Sequence, residues 1–163
     1  MKVVVDATPL IALSLINRLD LLRQLFSEVL VPRAVYQEVV QLGPDLPGAA
    51  ALTGADWIRV RSPRGKPTIE PLLLGLDRGE LDALLLAREL VADWVIMDER
   101  LGRRVANALQ VPVKGTIGIL LAAAQAGLLT KAEALTDAQQ LADQGIRISV
   151  HVLEWLEEEL RRI

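Results

Sequence analysis

The sequence has 163 residues, of which 52% are apolar and 3% aromatic, and its formal net charge is −3. This length favours one domain, residues 1–163, with a core of Leu, Val, Ile and Ala. The absence of cysteine excludes disulfides, thiolate metal sites and cysteine nucleophiles. No segment reads as a secretory signal or reaches the roughly 18 to 20 uninterrupted apolar residues of a membrane span, so we expect a cytoplasmic protein without a membrane partner.

The predicted elements alternate strands with helices along the chain. The first run of β-branched residues is typical of a buried parallel strand, and it ends at Asp6. Helical spacing, capping residues and Pro or Gly punctuation predict the rest. We expect strands over 28–31, 57–61, 93–98 and 111–113, helices over 10–26 with a break near Arg18, 33–42, 76–90, 100–109, 116–126, 131–144 and 150–162, a loop or loose helix over 43–54, and a strand or turn over 146–148.

Two of the predicted strands end in an aspartate, Asp6 and Asp98. Right-handed crossovers bring the carboxyl ends of parallel strands to one edge of the sheet, where α/β proteins bind ligands. Glu38 lies at the margin of the apolar face of its helix and Glu80 on the apolar side of a largely buried helix, whereas Asp82 falls on the narrow polar side. The plainer interpretations are a solvated boundary residue for Glu38 and helix-dipole stabilisation for Glu80.

Four acids in one crevice favour a site for hard metal ions. Close carboxylates repel by roughly 4 kcal/mol per pair at an effective dielectric near 20, so a cluster needs protons or cations. All-oxygen ligation selects Mg²⁺ or Mn²⁺, whose usual chemistry is phosphoryl transfer. The single histidine, His151, lies near the C terminus, and neither a GxGxxG run nor a P-loop occurs, so triad catalysis and nucleotide pockets lack support. The pattern predicts a phosphodiesterase or nuclease.

One dense basic cluster begins in the predicted strand 57–61 and continues into the loop that follows it. It has two interpretations, a solvated sheet edge whose charges discourage strand pairing, or contacts with backbone phosphates of a nucleic acid. The sequence leaves both open. The members of this cluster are Arg59, Arg61, Arg64 and Lys66.

Four segments resemble, in order, the acidic motifs of PIN domains. They are residues 3–11, 31–39, 76–83 and 95–100, and the motifs at 115–118 and 145–149 extend the resemblance to nearly the whole chain. The resemblance implies a three-layer α/β/α fold with a central, mainly parallel sheet flanked by helices. It also implies an Mg²⁺- or Mn²⁺-dependent endoribonuclease related to VapC-type toxins, with RNA as substrate, an antitoxin protein as partner and a homodimeric assembly.

Carried over by position, the resemblance makes four acids the catalytic and metal-binding residues: Asp6, Glu38, Glu80 and Asp98. Thr8 takes the place of the hydroxyl residue that follows the first aspartate, and Asp82 and Thr116 are further supporting residues; Thr116 is also expected to cap its helix. Two other functions stay open, a non-catalytic PIN-like module that binds RNA or protein, and a hard-metal phosphohydrolase of small phosphate esters.

Overall fold

A five-stranded parallel sheet organises the computed structural model, which describes residues 1–65 and 75–163. The strands are β1 (Lys2–Val5), β2 (Glu28–Pro32), β3 (Ile58–Arg61), β4 (Trp94–Ile96) and β5 (Val113–Lys114). Their spatial order is β3-β2-β1-β4-β5, and each neighbouring pair is parallel. β1 is therefore central, which agrees with its uninterrupted apolar sequence.

Helices cover both faces of the sheet. Those of the described residues are α1 (Ala7–Leu15), α2 (Leu21–Leu25), α3 (Arg33–Gln41), α4 (Pro47–Gly54), α5 (Arg78–Glu89), α6 (Arg100–Ala108), α7 (Thr116–Gln125), α8 (Lys131–Asp143) and α9 (Val150–Arg162). Val3 and Val5 pack into the larger core with α1, α7 and α8, whereas Val4 packs into a second core with α5 and α6. This alternation along β1 gives three layers and confirms the expected α/β/α fold.

The structure decides three segments for which the sequence predicted a break or left alternatives. The helix expected over 10–26 breaks near Arg18, as predicted, into α1 and α2, because Asn17 adopts a positive φ of 54° that a helix cannot contain. Residues 43–54 include a true helix, α4, that starts at Pro47. Residues 146–148 form no strand. The predicted capping box of Thr130 with Glu133 is confirmed.

No helix in the described ranges combines the length and the apolar character that crossing a bilayer requires.

Candidate active site

The carboxyl ends of β1 and β4 meet at one edge of the sheet. β1 and β4 are hydrogen-bonded neighbours, and the Asp6 N–H donates to the carbonyl of Ile96 at 3.0 Å. Asp6 directly follows β1, and Asp98 follows β4 after one intervening residue. The two strands that carry these aspartates are therefore neighbours, as the right-handed crossovers predict.

Asp6 is the buried centre of a group of acids. Its side chain belongs to a residue that is only 3% exposed, and this burial raises its pKa to about 7. The Ala7 N–H lowers the pKa by hydrogen bonding to the carboxylate. The negative charges of three neighbouring acids raise it again; these are Asp77, Glu80 and Glu38. Three of the four predicted site acids, Asp6, Glu38 and Glu80, thus act on one another electrostatically.

Glu80 is held in place at the start of α5 by a reciprocal capping box. The Glu80 N–H donates to Asp77 Oδ1 at 2.8 Å, and the Asp77 N–H donates to Glu80 Oε2 at 3.0 Å. Burial raises the pKa of Glu80, the hydrogen bond from Asp77 lowers it, and the charges of Asp77, Glu99 and Glu38 raise it. The capping box fixes a carboxylate that its surroundings otherwise disfavour in the charged form.

Glu38 reaches the same group of acids from α3, across Gly79. A Cβ atom at Gly79 would lie 3.2 Å from Glu38 Oε2 and 3.4 Å from Asp77 Oδ1, so the missing side chain lets these two carboxylates approach. Partial burial and the charge of Asp77 raise the pKa of Glu38. Glu38 as a residue is still exposed to solvent, so only part of its side chain is desolvated.

Asp98 is oriented by the first residue of α7. Thr116 donates to it twice, from its N–H to Oδ1 at 2.7 Å and from its hydroxyl to Oδ2 at 2.6 Å. The expectation that Thr116 caps α7 is wrong, because Gly115 is the N-cap and Thr116 is the first helical residue. The Asp98 carboxylate takes over that role from another element, since it accepts one of the helix's unpaired N–H groups. Asp98 does not appear among the charges that raise the pKa of Asp6.

Of the supporting residues on α1 and α5, Asp82 lies differently from the expectation. Asp82 is 5% exposed rather than on a solvated polar side, and both of its carboxylate oxygens accept from Arg78 Nε at 3.1 Å. This pairing satisfies its charge outside the group of acids around Asp6, which leaves Glu80 as the α5 acid of that group. Thr8 is half-buried in the first turn of α1, and no described residue hydrogen-bonds its side chain.

The basic cluster divides between two positions along β3. Arg59 pairs with Glu28 at the amino end of β2, with Nη1 to Oε1 at 3.2 Å. Arg61 is exposed at the carboxyl end of β3, in register with Pro32 at the end of β2, and so lies on the same edge as the acids. Arg64 is also exposed, but its backbone N–H donates to Glu89 Oε2 at 2.8 Å, at the opposite end of α5 from Glu80. Lys66 lies outside the described residues.

Two acids of this edge, Asp77 and Glu99, were missing from the predicted site. Asp77 contributes to the raised pKa of Asp6, Glu38 and Glu80, and Glu99 contributes to that of Glu80. Asp77 could have been found from the Asp-x-x-Glu spacing, which is a capping-box pattern. The sequence offers no comparable signal for Glu99.

The donor set has the chemistry of a site for a hard divalent cation. Between residues 1 and 65 and between 75 and 163, no ion pair uses Asp6, Glu38, Asp77, Glu80 or Asp98, so positive side chains there leave their charges uncompensated. In the same ranges no three acidic or histidine side chains form a group ready to hold a metal ion. The Asp77 N–H holds the Glu80 carboxylate and Thr116 holds that of Asp98, and each carboxylate keeps lone pairs that could bind a cation.

A model of one protein family, described as the PIN domain, matches residues 2–161. No curated protein sequence matches the chain significantly.

Proposed function

Because the chain belongs to the PIN-domain family, we propose that it is an Mg²⁺- or Mn²⁺-dependent endoribonuclease that hydrolyses phosphodiester bonds of RNA. The observation that carries this proposal is the group of acids around Asp6. Burial of Asp6 and the negative charges of its neighbours raise the pKa of Asp6 to about 7. A buried carboxylate among like charges is costly unless a cation or a proton compensates it. When bound, the divalent ion would supply that compensation, polarise the scissile phosphate and activate water.

The acids of this edge would bind the metal ions, and their hydrogen-bond partners would orient them. Asp6, Glu80 and Asp98 would hold the ion or ions, and Glu38, at the more exposed side, would bind a second ion or orient water. Thr116 keeps the Asp98 carboxylate oriented through two short hydrogen bonds. Asp77 keeps Glu80 oriented through the capping box. Preorganised carboxylates of this kind lower the cost of assembling a metal-dependent site.

Arg61 is proposed to attract the RNA backbone to the acidic edge. The chain has a net charge of −3, so binding of a polyanion depends on local cationic side chains. Arg61 lies at the carboxyl end of β3, on the edge that carries the acids, whereas Arg59 is already paired with Glu28. Among the described residues, Arg59 and Arg64 would add only to the long-range positive field that attracts RNA.

The test is cleavage of a labelled single-stranded RNA with Mg²⁺ or Mn²⁺, with EDTA, and by the Asp6→Asn and Asp98→Asn variants. We expect metal-dependent cleavage that EDTA and either substitution abolish. The matched control is Asp137→Asn, because Asp137 is equally buried but pairs with Arg18 at 2.7 Å in another part of the fold. Cleavage that survives both site substitutions would refute the nuclease proposal. Hydrolysis of nucleotide esters without RNA cleavage would favour the phosphohydrolase.

A second candidate function is a non-catalytic PIN-like module that binds RNA or protein. The observation that favours it is that, among the described residues, no three acids lie close enough together to hold a metal ion as a group. Titration of the protein with Mn²⁺ by calorimetry separates the two functions. Binding that Asp6→Asn abolishes supports the nuclease, and RNA binding without Mn²⁺ binding supports the module.

The finer biological role we propose is the toxin of a toxin–antitoxin pair, acting as a homodimer in the cytoplasm with an antitoxin protein as partner. Its support is the sequence resemblance to VapC-type toxins. Growth arrest on expression, relieved by a small protein encoded in the neighbouring reading frame, is the expected result. Sedimentation of the purified chain measures the dimer directly.

A further inference from the structure

The guanidinium of Arg103 lies beside the acidic edge, next to Asp98. Its Nη1 donates to the carbonyl of Met97, the residue before Asp98, at 3.4 Å. A Cβ atom at Gly115 would lie 2.5 Å from Arg103 Nη1 and 2.9 Å from Asp98 Oδ1. The absent side chain of Gly115 therefore gives the guanidinium and the carboxylate room at the same place.

Most of the hydrogen-bonding capacity of Arg103 is unused within the described chain. No hydrogen bond or ion pair joins Arg103 to Asp98 within the described residues, where Thr116 is the donor to both oxygens of that carboxylate. Arg103 takes part in none of the ion pairs between described residues, and the single hydrogen bond that its guanidinium makes there is long. An arginine carries five N–H donors in a planar fork that matches the oxygens of a phosphate.

The acids lie between Arg103 and the basic end of β3. Arg61 ends β3, and in the order β3-β2-β1-β4 this strand is three strand spacings, about 14 Å, from β4. Arg103 belongs to α6, which begins just after Asp98, and its side chain is half-buried against the β4 end. A polyanion that crosses the acidic edge would thus meet a cation on each side of it.

We propose that Arg103 is a substrate-binding residue that contacts a phosphate oxygen of RNA on the Asp98 side of the site. This inference rests on the proposed function, in that RNA is taken as the substrate. A half-buried guanidinium with unused N–H donors can form charge-assisted hydrogen bonds with an anion that binds at this edge. The phosphate of the bound strand is that anion, and Arg61 contacts the strand at the opposite side of the acids.

The test measures RNA binding without cleavage. A fluorescein-labelled single-stranded RNA is titrated with protein in EDTA at several salt concentrations, and the change in anisotropy gives the Kd. We expect Arg103→Gln to weaken RNA binding by about 10- to 100-fold. The salt slope, which is the decrease in log K for binding per unit increase in log salt concentration, should fall by about 0.7, the value of one lost phosphate contact with a single strand. Gln keeps a donor for the Met97 carbonyl, which protects the fold. Arg103→Lys should lose less, because it retains the charge.

The matched control is Arg88→Ala, which removes the same charge from an exposed residue of α5. Arg88 lies eight residues after Glu80, about 12 Å farther along the helix and away from the acidic edge. We expect its RNA affinity to stay within about twofold of the wild-type value. An equal loss in Arg88→Ala and Arg103→Gln would overturn the proposal, because net charge alone would then explain both.

A structural role for Arg103, in which it only neutralises Asp98, predicts a different result. Arg103→Gln would then change the affinity for Mn²⁺ in calorimetry while leaving RNA binding in EDTA unchanged, and this outcome would overturn the proposal. Failure of the nuclease function is separately visible. If the wild-type protein binds RNA in EDTA but cleaves none with Mn²⁺, a weaker Kd in Arg103→Gln still supports the contact.

Discussion

Replacing Asp6 by Asn should make the metal-free protein more stable while it removes RNA cleavage. Asp6 is 3% exposed, and its pKa is raised from 3.8 to about 7 by burial and by neighbouring acids. A rise of this size corresponds to about 4 kcal/mol of destabilisation of the charged form. Asn has nearly the same shape and no charge, so the variant avoids this cost.

The sign of the effect depends on pH. The pKa is higher in the folded protein than in the unfolded chain, so the folded state binds the extra proton between about pH 4 and pH 7, and stability falls as the pH rises through that range. The advantage of Asp6→Asn should therefore be near zero at about pH 4 and reach about 4 kcal/mol at about pH 8. For 163 residues this is an increase in Tm of roughly 8 to 16 °C, as an upper limit.

The assay is thermal unfolding in EDTA at about pH 4, 6 and 8, followed by circular dichroism, for the wild type and Asp6→Asn. Asp137→Asn is the control, because it removes a buried carboxylate that is paired with Arg18 and should lower the Tm at about pH 8. Addition of Mn²⁺ at about pH 8 should raise the Tm of the wild type but not of Asp6→Asn. A Tm difference in EDTA that stays constant with pH would refute the reasoning.

Three further predictions follow from contacts at the same edge. Thr116→Val removes the buried hydroxyl that donates to Asp98 at 2.6 Å, so it should cost about 1 to 3 kcal/mol of stability and at least 10-fold in cleavage rate. Thr116→Ser keeps the hydroxyl and should retain most of the stability and the rate. Equal rates for the Val and Ser variants would contradict this role. Asp77→Ala removes the N-cap of α5 and should lower the free energy of unfolding in urea by about 1 kcal/mol, whereas Asp77→Asn should stay near the wild-type value. An equal loss in both variants would show that the charge of Asp77, rather than its capping, matters. Arg61→Ala should weaken RNA binding and reduce its salt slope by about 0.7, more than Arg59→Ala does, and the reverse order would exclude Arg61 from the RNA path.

The sequence by itself determined the layers of the fold and the edge at which a site would form. The β-branched run before Asp6 and the second apolar strand before Asp98 are local signals, because a strand buried on both faces must be apolar throughout. The handedness of the crossovers then brings both strand ends to one edge without any knowledge of packing. The helical patterns singled out Glu38 and Glu80, and the resemblance to the acidic motifs assigned them to the same site as Asp6 and Asp98.

Only the tertiary structure decided how each acid is held. Asp82 looks like a solvated residue in the helical pattern, yet it is buried and paired with Arg78, because burial depends on what packs over a helix and not on its own periodicity alone. The contact of Asp98 with Thr116 joins residues that are 18 positions apart, and no sequence rule relates them. The same holds for Arg103 and Gly115, whose proximity arises where α6 and α7 begin at the same edge of the sheet.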